Sequence, residues 1–431
     1  MNILDIIAKK RDGLELSSEE INFFICGICD KTIADYQASA LLMAIRINGM
    51  SARETADLTI SMMNSGDVAD LSSIGAKTAD KHSTGGVGDT VTLIAVPLAA
   101  ACGCKIAKMS GRALGHTGGT IDKMDSIGIN SELSVEELIK NTKTIGCAVA
   151  QQTGELAPAD KILYQLRDVT ATVDSIPLIA SSILSKKFAT GADVIVLDVK
   201  TGSGALMKTL EESKALAKAM VDIGYHTDKR VCAFITGMEQ PLGRYIGNRL
   251  EVYDAIMALS GKSQGALLDV SVEIAAKMME LSMDIGHEEA LSMLKTALES
   301  GAGLEKLREM IKAQGGDISV VGDPEKLVID SKSEVLSEVD GYISSMDTQL
   351  IGEAARALGA GRMKKTDPID FDAGIIMNVK IGDKVNKGDM LACLICADSE
   401  KIKIAEEMMK KAIVVSLDKP IIPPVIYDFI Q

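Results

Sequence analysis

Two glycine-rich segments constrain the fold of this chain more than any other feature of its sequence. The first, residues 81–90 (KHSTGGVGDT), leads directly into an apolar helical pattern that begins at Val91. The second, residues 108–122 (KMSGRALGHTGGTID), also precedes a helical pattern. A glycine-rich loop that opens a helix presents unpaired backbone amides and the positive end of the helix dipole to an anion. Together the two segments predict loops of one sheet that surround a single phosphate.

The patterns around these segments predict helical and sheet regions. Residues 1–65 have consecutive helical patterns, with capping boxes that begin at Ser17 and Ser51. Further along, β-branched segments at 193–197 and 230–235 alternate with helical stretches. Such alternation is typical of an α/β sheet.

The middle and the end of the chain differ from both of these regions. Residues 158–190 return to a helical pattern that starts at Pro158, and we expect them to pack on the N-terminal helices. Strand-like residues at 373–380 and turn residues at 382–389 predict a small β-rich region. The predicted fold is α/β with a separate small all-α domain, a mixed central sheet flanked by helices, and a C-terminal α+β subdomain.

The charge balance limits the partners of the protein. Sixty acidic residues against 46 basic ones give a formal net charge of −14, which disfavours nonspecific binding to nucleic acid or anionic membranes. Aromatic residues are 3% of the chain and Trp is absent, so stacking platforms for single-stranded nucleic acid are scarce. An anionic substrate therefore needs a locally positive pocket.

Cysteine usage and hydropathy predict a cytoplasmic protein with reduced thiols. The eight cysteines are too sparse for a disulfide framework in a chain of this length. Cys26-x-x-Cys29 and Cys393-x-x-Cys396 have no histidine cluster beside them, so we interpret them as core residues and not as a metal site. The longest uncharged apolar stretch, 91–104, falls short of the roughly 20 residues of a membrane span, and no export signal is visible.

A third cluster of polar residues lies in the helical segment 158–190. Ser182 and Lys186 are four residues apart and share one helix face, whereas Lys187 points about 100° away. With Arg167, this face can bind a polar ring. In isolation such residues are more often solvated charges, and the phosphate loops nearby favour the binding role.

The three segments KHSTGGVGDT, SGRALGHTGGTIDKMDSI and LRDVTATVDSIPLIASSILSKK closely resemble the thymidine and pyrimidine-nucleoside phosphorylase family. The likeness extends to PLGRYIGNRLEV and GDKVNKGD in the second half of the chain. It implies reversible phosphorolysis of uridine, deoxyuridine and thymidine to the free base and α-(deoxy)ribose 1-phosphate. Inorganic phosphate is then the co-substrate, and no organic cofactor is implied.

The resemblance assigns roles to individual residues. The implied phosphate ligands are Lys81, Ser83, Thr92, Lys108, the Met109 backbone, Ser110 and Thr120. The implied base-binding residues are Tyr164, Arg167, Ser182 and Lys186. The implied catalytic residues are His82, Arg167 and Lys186, with His82 near the base carbonyl O2 as a proton donor. Lys108 resembles the broader pyrimidine-nucleoside enzymes, because strict thymidine phosphorylases have a neutral residue there.

The resemblance also implies a domain organisation and a dimer. Residues 1–65 and 159–190 form the helical domain, which carries the dimer contacts and the base side of the cleft. Residues 70–154 and 193–330 form the phosphate-binding α/β domain, and residues 331–431 form the C-terminal subdomain. The active site then lies in the cleft between the helical and α/β domains, within a homodimer.

Several positions depart from the family pattern. Ala113 stands where glycine is usual, and Asp125 where glutamate is usual. A potassium site is implied at Gly88, Thr90, Leu242, Tyr245 and Asp254. There, Asp254 replaces an expected glutamate and Tyr245 a small residue.

Two other functions remain open from the sequence. An anthranilate-type phosphoribosyltransferase, which uses phosphoribosyl pyrophosphate and magnesium, resembles this chain in fold and in one phosphate loop. A noncatalytic nucleotide-binding module is the second alternative. The arrangement of Arg167, Ser182 and Lys186 suits a pyrimidine and favours the phosphorylase.

Overall fold

The N-terminal part of the chain is a bundle of four helices. The computed structural model describes residues 1–113, 115–152, 156–329, 332–364 and 366–431. The first helices are α1 Ile3–Arg11, α2 Ser18–Cys29, α3 Asp35–Asn48 and α4 Ala52–Met63. The hydroxyls of Ser17 and Ser51 accept hydrogen bonds from the backbone N–H groups of Glu20 and Glu54. The carboxylates of these two glutamates accept hydrogen bonds from the backbone N–H groups of the serines in return. Both predicted capping boxes are therefore confirmed.

Alternating strands and helices follow the bundle. They are β1 Thr78–Ser83, α5 Val91–Ala101, β2 Lys105–Ser110, α6 Thr120–Asp125, α7 Val135–Ile145 and β3 Cys147–Gln151. Helices α8 Pro158–Asp168 and α9 Ile176–Ala189 come next. Leu163 and Leu178 of these helices share a buried apolar cluster with Phe24 and Leu41 of the bundle. The alternation then resumes with β4 Val194–Thr201, α10 Leu210–His226 and β5 Arg230–Gly237.

The remaining elements complete the α/β part and build the C-terminal part. The helices are α11 Asn248–Leu259, α12 Ala266–Met283, α13 His287–Glu299, α14 Ala302–Ala313, α15 Ser319–Gly322, α16 Thr348–Ala355 and α17 Ser399–Ala412. The strands are β6 Tyr245–Ile246, β7 Lys332–Leu336, β8 Gly341–Met346, β9 Gly374–Met377, β10 Lys384–Val385, β11 Met390–Ile395, β12 Ile413–Ser416 and β13 Ile426–Ile430. Short 3-10 turns lie at Ser72–Ile74 and Pro324–Leu327.

The central sheet has six strands in the order β13-β5-β4-β1-β2-β3. Five of them are parallel and β13 is antiparallel to β5, so the predicted mixed sheet is confirmed. All eight residues of β4 are buried, as expected of a strand covered on both faces by helices. Because the carboxyl ends of parallel strands meet at one edge, the glycine-rich loops after β1 and β2 lie side by side.

Two small sheets form the C-terminal α+β part, in the orders β10-β8-β12 and β6-β9-β11-β7. Two strand pairings join this part to the α/β domain: β6 pairs with β9, and β13 pairs with β5 of the central sheet. Both pairings are antiparallel and link residues far apart in the sequence. The apolar stretch from Val91 forms the buried helix α5, and within the described residues no helix has the length and hydropathy that a bilayer crossing requires.

Candidate active site

A cleft of about 760 Å³ lies between α8 and α9 on one side and the carboxyl ends of β1 and β2 on the other. The structure brings every predicted phosphate-binding, base-binding and catalytic residue to its walls. These residues are Lys81, His82, Ser83, Thr92, Lys108, Met109, Ser110, Thr120, Tyr164, Arg167, Ser182 and Lys186. The three separate sequence clusters therefore belong to one site.

The first loop owes its shape to its glycines. Gly85 and Gly88 adopt φ angles of 93° and 64°, which non-glycine residues rarely adopt. Strand β1 ends at Ser83 and helix α5 begins at Val91, so the backbone of the loop lies at the N-terminus of α5. The Ser83 hydroxyl donates to Asp89 Oδ2 at 2.6 Å. This hydroxyl must rotate in order to donate to a phosphate.

Buried charges give the phosphate side of the cleft its positive character. The buried lysines Lys81 and Lys108 line the cleft, and two more buried lysines, Lys187 and Lys200, share carboxylate partners with them. In the part of the chain that the structure describes, they pair with three carboxylates, those of Asp80, Asp89 and Asp198. Desolvated ammonium groups in excess of their carboxylates favour binding of an anion. The cleft thus supplies the locally positive pocket that the acidic chain requires.

Lys187 and Asp80 hold the end of β2 in place. Lys187 Nζ donates to Asp80 Oδ2 at 2.9 Å and to the Met109 carbonyl at 2.6 Å. Neither residue was assigned to the site from the sequence. Helical geometry predicted only that Lys187 points away from the helix face of Lys186. Charged residues inside an otherwise apolar strand, here Asp198 and Lys200 of β4, are the sequence signal that identifies such a network.

The lysine cluster shifts the ionisation of its neighbours. Burial, and then the charges of Lys187 and Lys81, lower the pKa of Lys108 to about 7, although Asp80 opposes this shift. Burial and the nearby lysines, Lys187 first, hold the pKa of His82 well below its usual range. His82 is therefore neutral at pH 7. A neutral imidazole donates a hydrogen bond from its ring N–H but is a poor source of a proton.

The second loop is fixed by the carboxylate of Asp122. It accepts hydrogen bonds from the Ala113 backbone N–H at 2.7 Å and from Arg112 Nη1 at 3.0 Å. Asp125 also accepts a hydrogen bond from Arg112 Nη1, at 2.5 Å. Its side chain is one methylene shorter than that of the usual glutamate, and it still makes this contact. A side chain at Gly119 would collide with the Ala113 backbone. Ala113 itself has no positive φ and fits the loop.

The opposite wall presents polar groups from α8 and α9. Lys186 Nζ lies 3.1 Å from Ser182 Oγ and forms an ion pair with Asp160. The second oxygen of Asp160 is buried and has no hydrogen-bond partner among the described residues. Arg167 donates to the carbonyls of Thr172, Val173 and Leu178, at 3.3, 2.7 and 3.0 Å respectively. Three of its five N–H groups thus hold the connection between α8 and α9, and the other two have no hydrogen-bond partner among the described residues.

The residues assigned to potassium make contacts within the chain. The Gly88 carbonyl accepts from the Gly243 N–H at 3.0 Å, and the Thr90 hydroxyl donates to Glu251 at 2.8 Å. The Leu242 carbonyl accepts from Lys380 Nζ at 3.3 Å, and Asp254 Oδ2 accepts from the Arg244 N–H at 3.2 Å. Tyr245 pairs with Ile376 in the β6–β9 ladder. Oxygens of Gly88, Leu242 and Asp254 therefore each accept a hydrogen bond from the chain itself.

Family models define the class of protein to which this fold and site belong. The model of the glycosyl transferase family a/b domain matches residues 75–304, and that of its helical bundle domain matches residues 4–66. A third model, the pyrimidine nucleoside phosphorylase C-terminal domain, matches residues 342–416. Proteins named pyrimidine-nucleoside phosphorylase from Staphylococcus haemolyticus (strain JCSC1435) and Staphylococcus aureus (strain N315) are each 52% identical over 394 residues, 91% of either chain. The chain belongs to the pyrimidine-nucleoside phosphorylase family, as the sequence resemblance predicted.

Among solved structures, the fold is similar to that of an anthranilate phosphoribosyltransferase from Thermus thermophilus. The TM-score is 0.56 at 18% identity, over 72% of this chain and 99% of that one. This likeness shows a shared fold alone. It therefore gives the phosphoribosyltransferase alternative no support beyond the architecture.

Proposed function

We propose that this protein catalyses reversible phosphorolysis of pyrimidine nucleosides, with uridine, deoxyuridine and thymidine as substrates. The observation that carries this proposal is a single cleft in which a cluster of buried lysines faces Ser182 and Lys186. One wall suits an inorganic oxyanion and the other a polar ring. A nucleoside placed between them brings its glycosidic bond against the phosphate. Membership of the family supports the same reaction.

The reaction is an inverting displacement at the anomeric carbon. A phosphate oxygen forms a bond to C1′ while the bond from C1′ to the pyrimidine nitrogen breaks, and the electron pair leaves with the base. Positive charge develops on the sugar, and the phosphate held by the two loops offsets it. The product is then the α-sugar 1-phosphate. The nucleophile is already an anion, so no side chain must remove its proton.

The helical wall stabilises the departing base. Lys186 and the free N–H groups of Arg167 stabilise negative charge on the pyrimidine, and His82 donates a hydrogen bond to O2 from its neutral ring. The low pKa of His82 changes its predicted role from a proton donor to a hydrogen-bond donor. Asp160, with its unpaired oxygen, can accept the N3–H of uracil or thymine. Cytosine has no N–H at that position and is expected to be a poor substrate.

An assay of base release tests this function. Uridine, deoxyuridine, thymidine and cytidine are each incubated with and without inorganic phosphate, in the absence of magnesium. We expect phosphate-dependent release of uracil and thymine and little release of cytosine. Turnover only with phosphoribosyl pyrophosphate and magnesium would instead establish the transferase, and tight nucleoside binding without turnover would establish a binding module.

Phosphate binding is expected to weaken as the pH rises. Because the pKa of Lys108 is about 7 in the free protein, this amine is mostly neutral above about pH 8. A bound phosphate dianion favours the charged amine, so binding takes up a proton and the affinity falls by up to about tenfold per pH unit. Calorimetry in buffers of different ionisation enthalpy measures this uptake. The Lys108→Met variant should bind more weakly and lose the proton uptake, and an unchanged uptake in it would contradict the assignment.

We further propose that the protein is a cytoplasmic homodimer whose contacts lie in the helical domain. Four large apolar side chains of α1 and α3 are exposed there, those of Leu4, Tyr36, Met43 and Ile47. We infer that these side chains share one surface, since a patch of exposed apolar side chains is typical of an interface between subunits. Light scattering coupled to size-exclusion chromatography tests the dimer, and the Ile47→Glu variant should shift it toward monomer.

A further inference from the structure

We propose that Lys200 and Thr236 are positioning residues, which hold Lys81 and Ser83 in the phosphate site without touching the phosphate. Both are fully buried, at 0% exposed, and neither is among the described residues that line the cleft. The family resemblance assigned a role to neither. The inference rests on the proposed phosphate site and adds to it the residues that keep its ligands aligned.

Strand register places side chains of three strands on one face of the central sheet. In the parallel ladders, Ser83 of β1 lies opposite Asp198 of β4, and Lys200 of β4 lies opposite Thr236 of β5. Because side chains two residues apart on a strand point to one face, Lys81 lies on this face as well. The five side chains are therefore neighbours at the carboxyl ends of the strands.

Lys200 lies between two carboxylates, and each of them contacts an implied phosphate ligand. Its Nζ is 2.8 Å from Asp198 Oδ2 and 3.9 Å from Asp89 Oδ2. Asp198 Oδ2 is in turn 3.4 Å from Lys81 Nζ, and Asp89 Oδ2 accepts the hydrogen of the Ser83 hydroxyl at 2.6 Å. The two ligands from β1 are therefore the ends of one chain of polar contacts, with Lys200 at its centre.

The hydroxyl of Thr236 fixes the orientation of the Asp198 carboxylate. It donates to Asp198 Oδ1 at 2.6 Å and accepts from Lys200 Nζ at 3.0 Å. A hydroxyl donates and accepts at the same time, whereas an apolar side chain does neither. With Oδ1 bound to Thr236, the other oxygen of Asp198 faces the ammonium groups of Lys200 and Lys81.

The backbone of β4 holds the residue that follows Ser83. The Thr84 N–H donates to the Asp198 carbonyl at 3.1 Å, and the Lys200 N–H donates to the Thr84 hydroxyl at 2.9 Å. Thr84 itself lines the cleft. Asp198 and Lys200 therefore anchor the start of the phosphate loop through their backbone groups as well as through their side chains.

The positive charge of Lys200 balances the two carboxylates beside it. Burial disfavours the charged amine, but Asp198 and Asp89 outweigh burial and raise the pKa of Lys200 above its usual value. The amine is therefore charged at neutral pH. Without it, the same two carboxylates would lie behind the phosphate site with one positive charge fewer, and they would repel a phosphate dianion.

Two substitutions at Thr236 separate positioning from packing. Thr236→Ser keeps the hydroxyl and loses a methyl group, whereas Thr236→Val keeps the volume and loses the hydroxyl. Titration calorimetry measures the dissociation constant of inorganic phosphate in each variant and in the parent protein. We expect Thr236→Ser to bind within about twofold of the parent and Thr236→Val about tenfold more weakly, because a buried carboxylate loses its donor. The reverse order, or equal affinities in the two variants, would contradict the positioning role.

Removal of the Lys200 ammonium is the second test. In Lys200→Met the dissociation constant of phosphate should rise about 10- to 100-fold, while the KM for uridine at saturating phosphate changes less than about twofold. Lys277→Met is the matched control, since it removes another buried lysine, one of α12 that pairs with Glu280 at 2.6 Å. It should lower the melting temperature and leave the phosphate affinity of the parent. Unchanged phosphate affinity in folded Lys200→Met would overturn the proposal, and if this variant does not fold, the two Thr236 variants decide.

The phosphate titration also separates this proposal from the proposed function. A parent protein that binds no phosphate would overturn the phosphate site and the positioning role together. A parent protein that binds phosphate, with Lys200→Met and Thr236→Val equal to it, would overturn the positioning role alone. Because phosphate is titrated without a nucleoside, neither result depends on turnover.

Discussion

Replacement of Lys186 by alanine is expected to lower kcat/KM for uridine by about 10²- to 10³-fold, the usual loss when one donor to a developing anion is removed. Lys186 lies on α9, where its ammonium pairs with Asp160 and contacts Ser182. Its removal leaves the buried Asp160 carboxylate unpaired beside the departing pyrimidine. Repulsion between the two anions then adds to the loss of the positive charge. Both effects act on cleavage of the glycosidic bond.

Steady-state kinetics with a phosphate-binding measurement tests this expectation. Because Lys186 faces the base, the dissociation constant of phosphate should change little while kcat falls. Lys218→Ala is the control, since Lys218 is an exposed lysine of α10 paired with Asp222. Turnover of Lys186→Ala near that of the parent protein would contradict the assignment of α9 to the base side.

Replacement of Lys81 by methionine should lower kcat/KM to a similar extent, in this case through loss of phosphate binding. Lys81 is 1% exposed and its Nζ lies 3.4 Å from Asp198 Oδ2. Methionine keeps most of the side-chain volume but removes one of the four buried positive charges. Three lysines then remain with three carboxylates, and Lys108 is only partly charged near pH 7, so the phosphate dianion loses its electrostatic advantage. We expect kcat/KM for phosphate to fall by about 10²- to 10³-fold.

A control variant at a neighbouring lysine distinguishes a loss of phosphate binding in Lys81→Met from a general loss of structure. Lys77→Met changes an exposed lysine that precedes β1 and pairs with Asp284 at 2.5 Å. It should leave phosphate binding unchanged. Circular dichroism and thermal melting of Lys81→Met establish that the sheet is intact. Equal phosphate affinity in Lys81→Met and the parent protein would show that the anion binds elsewhere.

The sequence predicted the loops better than the charge network behind them. Glycine spacing and the helical pattern from Val91 identify a loop at a helix N-terminus from local information alone. The pairing of Lys187 with Asp80, by contrast, joins residues 107 positions apart in the chain. No local pattern contains that contact. The three backbone carbonyls that Arg167 binds could not be predicted for the same reason, because the path of residues 169–178 places them.

Local sequence patterns could not predict the strand pairings of the C-terminal part either. Turn residues at 382–389 indicated a small β-rich region, and the structure has two small sheets there. That β13 returns to the central sheet follows from long-range packing and not from its own five residues. The contact of Lys380 with the loop at 241–243 depends on the same arrangement.

The position of β13 has a consequence for how the chain is made. Ribosomal synthesis delivers residues 426–430 after the other five strands of the central sheet, yet they cover the open edge of β5. Until then the nascent α/β layer exposes unpaired backbone groups along that edge, a template for association with other chains. The growing chain is therefore exposed to aggregation along this edge until β13 has been made.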